Sequence, residues 1–430
     1  MTVTAEHAYT GGNMSNASPT TPLAGSAPRR KVALTRPLRH ARYRSIWLAN
    51  LVSNLGTWIQ TFAAAWLVAS LSQSAAITSL VQTATYVPVF LFALCAGVVA
   101  DAVHRPKFLF FCNLFMAVCA GAMALLAWTG KVASGPVLAI TFCLGIGTAF
   151  IWPAWQAAMS GLVEPEEVEA AATLNNLSYN LSAVIGPALG GILFGWIGPG
   201  ALFLANALSF TGLLAIYWLW WRERSPQAAP REGFRARFRH GLRCALGCPR
   251  YRRILRNVCS VFFATIAFAS LLPVFVRDVL RMESGVYGTL MGCLGGGAVV
   301  AAFFLPHIRA RVDKTGVLAG ALLVYGAMLL AMSFTRALAV LVPLILCGGM
   351  AWSATVSTLN AAAQLSFPAE VRARTLSIYL FVMSGGYVAG SLFWGRVADA
   401  WGIRAALGAA GACVLVNALV LATGRHENPL

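Results

Sequence analysis

The side chains most able to do chemistry in this chain form one gate-like cluster and several neutral polar stripes, not a catalytic set. Between two long apolar runs stands Gly97-Val-Val-Ala-Asp101-Ala-Val-His-Arg105-Pro-Lys107. A carboxylate at a helix end can face the positive N-terminus of another helix and a neighbouring guanidinium. Such a contact holds one arrangement shut and is broken in another. Gly97, Asp101, Arg105 and Lys107 are therefore a candidate gate, the alternative being that they are plain topogenic charges.

Elsewhere the polar groups are uncharged and recur at helical spacing. Asn50, Asn54, Thr57 and Thr61 fall at i, i+4, i+7 and i+11, and Ser353, Ser357, Asn360 and Gln364 repeat that pattern. Thr78, Gln82 and Thr85 make a shorter stripe with Tyr86 beside it, and Asn176 and Asn180 lie one turn apart. Stripes of this kind either line a polar path or hydrogen-bond between helices. The apolar runs carry no Asp, Glu, Lys or Arg away from their ends, so Asp278 and Asp399, near the interfaces, remain as candidate ion-coupling carboxylates beside Asp101.

Several classes drop out. No G-x-x-x-x-G-K-[ST] phosphate loop occurs, which excludes an ATP-driven pump, and no nucleophile–base arrangement suggests an enzyme. His240, Cys244 and Cys248 share an i, i+4, i+8 spacing that ordinary packing explains better than a metal. No metal and no other cofactor is expected.

The elements that must hold these residues are set by composition. Of 430 residues, 58% are hydrophobic and 11% charged, whereas ordinary soluble domains carry about 25% charge. Stretches of the length needed to cross a ~30 Å hydrocarbon core recur twelve times. They cover roughly 45–71, 77–100, 108–130, 136–162, 170–197 and 200–221, then 257–276, 284–307, 317–334, 337–366, 374–395 and 404–424. The expected fold class is all-α integral membrane.

The net charge of +18 would suggest nucleic acid in a soluble protein, but here it encodes orientation. With a cytoplasmic N-terminus, 26 of the 32 Lys and Arg residues fall inside, leaving Lys131, Arg277, Arg281, Arg336, Arg396 and Arg404 outside. That asymmetry places both termini in the cytoplasm and the chain in the cytoplasmic membrane. Glu164, Glu166, Glu167 and Glu169, crowded into one inside loop, run against the trend. Lipid and a small-molecule solute are the expected partners of a chain expected to be monomeric, and nucleic acid is not one.

Five segments follow: a cytoplasmic tail over 1–44, mostly disordered by composition, a six-span bundle over 45–221, a basic linker over 222–256, a second bundle over 257–424 and a short cytoplasmic tail over 425–430. The linker spaces Phe234, Phe238, Leu242 and Leu246 four apart among Arg235, Arg237, Arg239 and Arg243. It reads either as a basic amphipathic helix on the inner leaflet or as a solvated basic loop.

The halves also repeat. Tyr179, Gly186, Gly190 and Gly195 return in register as Tyr379, Gly386, Gly390 and Gly395, and Glu167-Val-Glu-Ala-Ala-Ala-Thr-Leu174 is echoed by Glu370-Val-Arg-Ala-Arg-Thr-Leu376. A same-direction repeat of six-span halves is how secondary transporters build a site that opens to either side in turn. Glycines four apart let helices approach closely, and Pro187 frees a carbonyl, so Gly186, Pro187, Gly190, Gly191, Gly386 and Gly390 are candidate conformational residues.

The Gly97–Lys107 loop resembles the signature loop of major facilitator transporters, with His104 where a second glycine is usual. Gly186-Pro-Ala-Leu-Gly190-Gly191 resembles the exporter motif of span 5, with Thr173 and Ser182 replacing earlier glycines. The runs from Leu162 through Gly-Pro, from Val371 through Gly395 and from Leu38 through Asn50 are similar to the transmembrane secretion effector group, which includes enterobactin-exporter-like drug:proton antiporters, over residues 38 to about 420.

The resemblance implies the major facilitator fold: twelve transmembrane helices in two pseudo-symmetric six-helix bundles working by alternating access. It implies a gate in which Asp101 meets the start of span 11, near Val371–Thr375. It also implies export of a siderophore, drug or secondary metabolite, usually against protons. Uptake, lysophospholipid flipping and solute sensing without transport are the alternatives.

Spans 1, 4, 7 and 10 line the cavity in that fold. Asn50, Asn54, Trp58, Gln82, Tyr86, Trp152, Gln156, Asn176, Asn180, Ser357, Asn360 and Gln364 are thus the candidate substrate residues. Amides, aromatics and no charge point to neutral or zwitterionic amphipathic solutes. Asp101→Asn is expected to insert normally and to transport slowly. Flux at the wild-type rate, for an equal amount of protein in the membrane, would remove the gate reading.

Overall fold

A computed structural model describes residues 33–130, 132–159, 161–222, 242–243, 245–367 and 369–423. Among them are twelve long helices: α1 (Ala41–Leu71), α2 (Ala75–Ala102), α3 (Arg105–Trp128), α4 (Ser134–Met159), a run Val168–Trp221 that makes α5 and α6, α7 (Pro249–Val274), α8 (Ser284–Arg309), α9 (Lys314–Met332), α10 (Leu338–Leu365), α11 (Ala369–Trp401) and α12 (Ile403–Thr423). The long run breaks at Gly198, whose φ of 74° and ψ of 171° suit a residue without Cβ. The break separates α5 (168–197) from α6 (199–221). Pro199 follows at the start of α6, where no backbone donor is missed.

Ten runs, counting Val168–Trp221 as one, are long and apolar enough to cross a membrane. Division at Gly198 and addition of α1, whose polar stripe dilutes its apolar character, give the twelve expected. The boundaries differ where helices outrun the apolar layer. α7 starts at Pro249 instead of 257, and α11 extends to Ala369 and Trp401 beyond the expected 374–395. Hydropathy marks only the lipid-crossing portion, and the added turns are polar or basic.

Packing follows a pseudo-two-fold. α1 packs on α5 and α7 on α11; α2 packs on α4 and α8 on α10; α3 packs on the α5–α6 run and α9 on α12. Matched hydrogen bonds fix the first pair. Tyr43 donates its hydroxyl to the Ala171 carbonyl at 3.0 Å and Tyr251 donates to the Thr375 carbonyl at 2.6 Å. Leu38, Arg42, Tyr43, Arg44 and Ile46 recur 208 positions later as Leu246, Arg250, Tyr251, Arg252 and Ile254. This second internal repeat lies at the entry to each bundle.

The glycines of α5 and α11 set how close these pairs come. A Cβ on Gly186 would sit 2.5 Å from Trp58 Cβ, and one on Gly190 would sit 2.9 Å from the Phe62 ring, both on α1. On α11, a Cβ at Gly386 would lie 2.9 Å from the Cys259 carbonyl, and one at Gly390 would run into the Phe263 carbonyl of α7. These four glycines therefore bind helices within a bundle. α5 meets α8 with its neighbouring face.

The proximal end, where α1 begins and α12 finishes, explains the acidic loop. A 3-10 turn, Arg36–Arg39, brings Arg36 Nε to Glu167 at 2.8 Å and Arg36 Nη2 to Glu164 at 3.2 Å, while His40 Nε2 lies 2.7 Å from Glu167. Burial alone would raise the Glu167 carboxyl, but its hydrogen bond with His40, a backbone contact at Glu164 and the charges of His40 and Arg36 hold it below the usual range. Glu164 and Glu167 are thus balanced by tail bases, and residues 36–44 form a 3-10 turn and the first turn of α1. Most of the basic linker, with His240 and Cys244, lies outside the described residues.

Gly190→Leu is expected to force Phe62 aside and cost about 1–3 kcal/mol by overpacking. In detergent this would appear as a lowered melting temperature. Unchanged melting would show that α1 and α5 need no close approach.

Candidate functional site

The two bundles meet along two seams, α2 against α11 and α5 against α8. In the first, Thr83 Oγ1 lies 2.7 Å from Ser391 Oγ, Tyr86 stacks on Tyr387 with ring centroids 4.3 Å apart, and Phe90 stacks on Phe381 at 4.4 Å. In the second, Ser284 Oγ donates to the Gly191 carbonyl at 3.1 Å, and a Cβ on Gly288 would fall 2.5 Å from the Pro187 carbonyl. Tyr287 of α8 stacks on Phe62 of α1 at 4.6 Å. These contacts run from the distal end, opposite the chain termini, to about mid-depth.

A polar clasp seals the distal end. Asp399, near the end of α11, accepts from Ser74 Oγ at 2.5 Å, from Ala75 N at 2.6 Å and from Ala76 N at 3.3 Å. One carboxylate thereby caps the N-terminus of a helix in the other bundle, where unpaired N–H groups and the helix dipole favour an anion. Arg277 donates to the carbonyl of Ser72, the C-cap of α1, where a cation is favoured for the complementary reason. Arg277 also pairs with Asp278. Both lie in a π-helical turn, Phe275–Leu280, that ends in left-handed Arg281 (φ 58°). The two candidate coupling carboxylates are thus both part of this closure.

Of the expected cavity residues, Tyr86 lies in the first seam and Gln82 beside its Thr83, while the others lie outside the seam contacts named above. Trp58, Tyr179 and Trp152 bring α1, α5 and α4 together, with ring centroids 5.7 and 6.0 Å apart. Asn50, Asn54 and Gln82 are half-buried, and Gln156, Asn176 and Asn180 are exposed. In the other bundle Gln364 Nε2 donates to Asn360 Oδ1 at 3.0 Å, while Ser357 bonds to its own helix and accepts from Arg309 at 2.8 Å. Phe262 and Trp352 extend the aromatic layer beneath Tyr387.

A family model described as transmembrane secretion effector matches residues 33–427. The chain belongs to that family of major facilitator transporters. The Multidrug efflux pump Tap of Mycobacterium tuberculosis is 23% identical over 389 residues, covering 87% of this chain and 91% of that protein. The Staphyloferrin A transporter of Staphylococcus aureus is 22% identical over 362 residues, covering 81% and 87%. Among solved structures, an inward-facing, unoccupied bacterial homolog of the human lysosomal transporter Spinster aligns with a TM-score of 0.66 at 15% identity, covering 90% of this chain and 95% of that one. The nucleoside transporter NupG aligns at 0.71 with 9% identity, covering 89% and 98%. The fold is the major facilitator fold, and the protein is a membrane transporter, not an enzyme.

Within this transporter the candidate gate loop divides. Gly97 and Asp101 occupy the last turns of α2, but their side chains, with part of the facing start of α11, lie outside the described residues. His104 caps α3, its Nδ1 accepting from Lys107 N at 3.4 Å, which accounts for histidine in place of glycine. Arg105 is exposed. Lys107 places its ammonium 5.1 Å over the Trp221 ring of α6, a contact inside one bundle and not across the gate.

Three groups were missed from the sequence. Buried Asn206 and Gln60 hydrogen-bond between α6 and α1; Asn206, the single amide of α6, was the available signal. Arg309, at the end of α8, donates to Ser357 and to Thr358 Oγ1 at 3.1 Å, and nothing in the spacing pointed it toward α10. Tyr387, partner of Tyr86, lay inside the glycine repeat and was passed over.

Asp399→Asn removes the charge and one acceptor from the cap. Discounted for solvent exposure, that is a loss of about 1–2 kcal/mol, or roughly a tenfold shift toward a distally open form. Spin labels near the distal ends of α2 and α11 should report a longer distance population. An unchanged distribution would show that the clasp does not hold the closed state.

Proposed function

We propose that this transporter exports a small amphipathic solute, neutral or zwitterionic, from the cytoplasm by alternating access coupled to protons. The observation that carries this reading is the opposition of the two ends. The distal half is closed by the clasp and the aromatic stacks, whereas Asn50, Trp152, Gln156, Asn176, Tyr179 and Asn180 sit in the proximal halves of α1, α4 and α5, with Trp58 at mid-depth. The positive-inside pattern makes the proximal end cytoplasmic, so a solute entering there meets Trp58, Trp152, Tyr179, Asn176 and Asn180 before the stacked Tyr86 and Tyr387.

Aromatic faces supply apolar area and amides supply directional hydrogen bonds, the combination suited to an amphipathic guest. The expected class includes siderophores, drugs and other secondary metabolites, in keeping with relatives titled as a multidrug efflux pump and a staphyloferrin A transporter. Asp399, whose carboxylate caps α2 from the other bundle, is the candidate coupling group in this reading.

The test is untargeted metabolite profiling of cytosol and medium from cells with and without the gene, under iron limitation and repletion. The expected result is a compound retained in the cells that lack the gene and missing from their medium. Accumulation in the medium instead, or altered membrane lipids with an unchanged medium, would replace export by uptake or flipping.

A further inference from the structure

The N-terminal bundle contains a cavity of about 60 Å³ that the transport reading does not use. It lies among α1, α2, α3, α4 and α6, and its wall includes Thr57, Thr61, Thr85, Thr141, Gln60 and Met116. Lipid-embedded bundle cores are normally filled with apolar side chains, and a cavity whose wall sets threonine hydroxyls and two amides among apolar groups such as Ala64, Val81 and Leu144 offers water the polar partners it needs. We propose that this chamber is a water-binding site, holding a small cluster of ordered waters that completes the hydrogen bonding of Gln60.

The hydrogen-bond inventory selects water over other guests. Each threonine has committed its hydroxyl proton to a carbonyl one turn back: Thr57 to Ser53 at 2.9 Å, Thr61 to Thr57 at 2.9 Å, Thr85 to Val81 at 2.8 Å and Thr141 to Val137 at 2.7 Å. What these hydroxyls can still offer is lone pairs, so the guest must donate. Gln60, 3% exposed, has its Nε2 without a partner, so the guest must also accept.

The amide assignment does not change that conclusion. As assigned, Asn206 Nδ2 donates to Gln60 Oε1, and Ser209 Oγ donates to Asn206. Turning both amides over lets Gln60 Nε2 donate to Asn206 Oδ1 and Asn206 Nδ2 donate to Ser209 Oγ, an equally complete network. Gln60 Oε1 is then left over in place of Nε2. Water satisfies either atom by turning, whereas a metal cation could serve only one orientation. The volume admits roughly four waters, taking about 15 Å³ for each. Thr148, exposed and also in the wall, gives the chamber a wet rim.

The test is X-ray hydroxyl-radical footprinting of the full chain in lipid nanodiscs, read by mass spectrometry at methionine sulfur. Met116 is 5% exposed, and Met123 and Met328 are 1% and 0% exposed, so all three should be equally inert in a dry protein. Water bound in the chamber predicts oxidation of Met116 at least tenfold faster than of Met123 and Met328. A Gln60→Leu, Asn206→Leu double variant removes both amides together, avoiding an orphaned partner. It should bring Met116 down to the rate of the other two, the low rate of Met123 reporting that the N-terminal bundle remains folded. Equal rates for all three methionines in the unaltered protein would overturn the proposal. So would a rise in melting temperature specific to sodium, potassium or lithium chloride over choline chloride that the double variant loses, because the occupant would then be a cation.

Discussion

A helix in lipid must satisfy its own backbone, so free N–H and C=O groups survive only at helix ends. That constraint decides where the two halves of this transporter can recognise each other in polar terms. The α1–α2 turn offers a C-terminus at Ser72 and an N-terminus at Ser74–Ala76, and the opposite bundle supplies one charge for each. Arg277 takes the carbonyl end and Asp399 the amide end. Deeper in the seam the means change. Thr83 and Ser391 make one hydroxyl pair, and below it the stacked Tyr86–Tyr387 and Phe90–Phe381 rings need no backbone partner at all.

The glycines divide along the same line. Close approach is needed both inside a bundle and where the bundles meet. Gly186, Gly190, Gly386 and Gly390 supply the first kind, because any Cβ there would run into α1 or α7. Gly191 and Gly288 supply the second, where two backbones cross just as closely between bundles and Ser284 adds a hydrogen bond. Adjacent residues of one motif thus serve opposite ends: Gly190 fastens α5 within its bundle and Gly191 lets it face the other.

Much of the fold was legible because lipid imposes a simple period. Twelve apolar runs, a same-direction repeat and the placement of basic residues give helix count, architecture and expected orientation without any tertiary knowledge. What hydropathy cannot see is the polar extension of a helix beyond the membrane, hence the early start of α7. It also cannot distinguish two faces of a glycine-rich helix, since that depends on the neighbour each face meets. Among candidate site residues, Trp58 and Trp152 both pack on Tyr179. Lys107 packs on Trp221, because a lysine stem can fold back as readily as reach outward. The Gln60–Asn206 contact joins helices far apart in sequence, and no spacing within one helix encodes it.

The two halves share a scaffold but not its charges. The offset that relates Tyr43 to Tyr251 also relates Asp101 to Arg309 and Arg105 to Asp313, so the signs at the α2–α3 turn are inverted at the α8–α9 turn. The second set is used inside its own bundle: Arg309 binds two hydroxyls of α10, and Asp313 caps α9 by accepting from Gly316 N at 3.4 Å. A carboxylate at position 309 could not donate to Ser357 and Thr358, and an arginine at 313 could not cap a helix N-terminus. The inversion therefore commits the C-terminal turn to holding its bundle rigid.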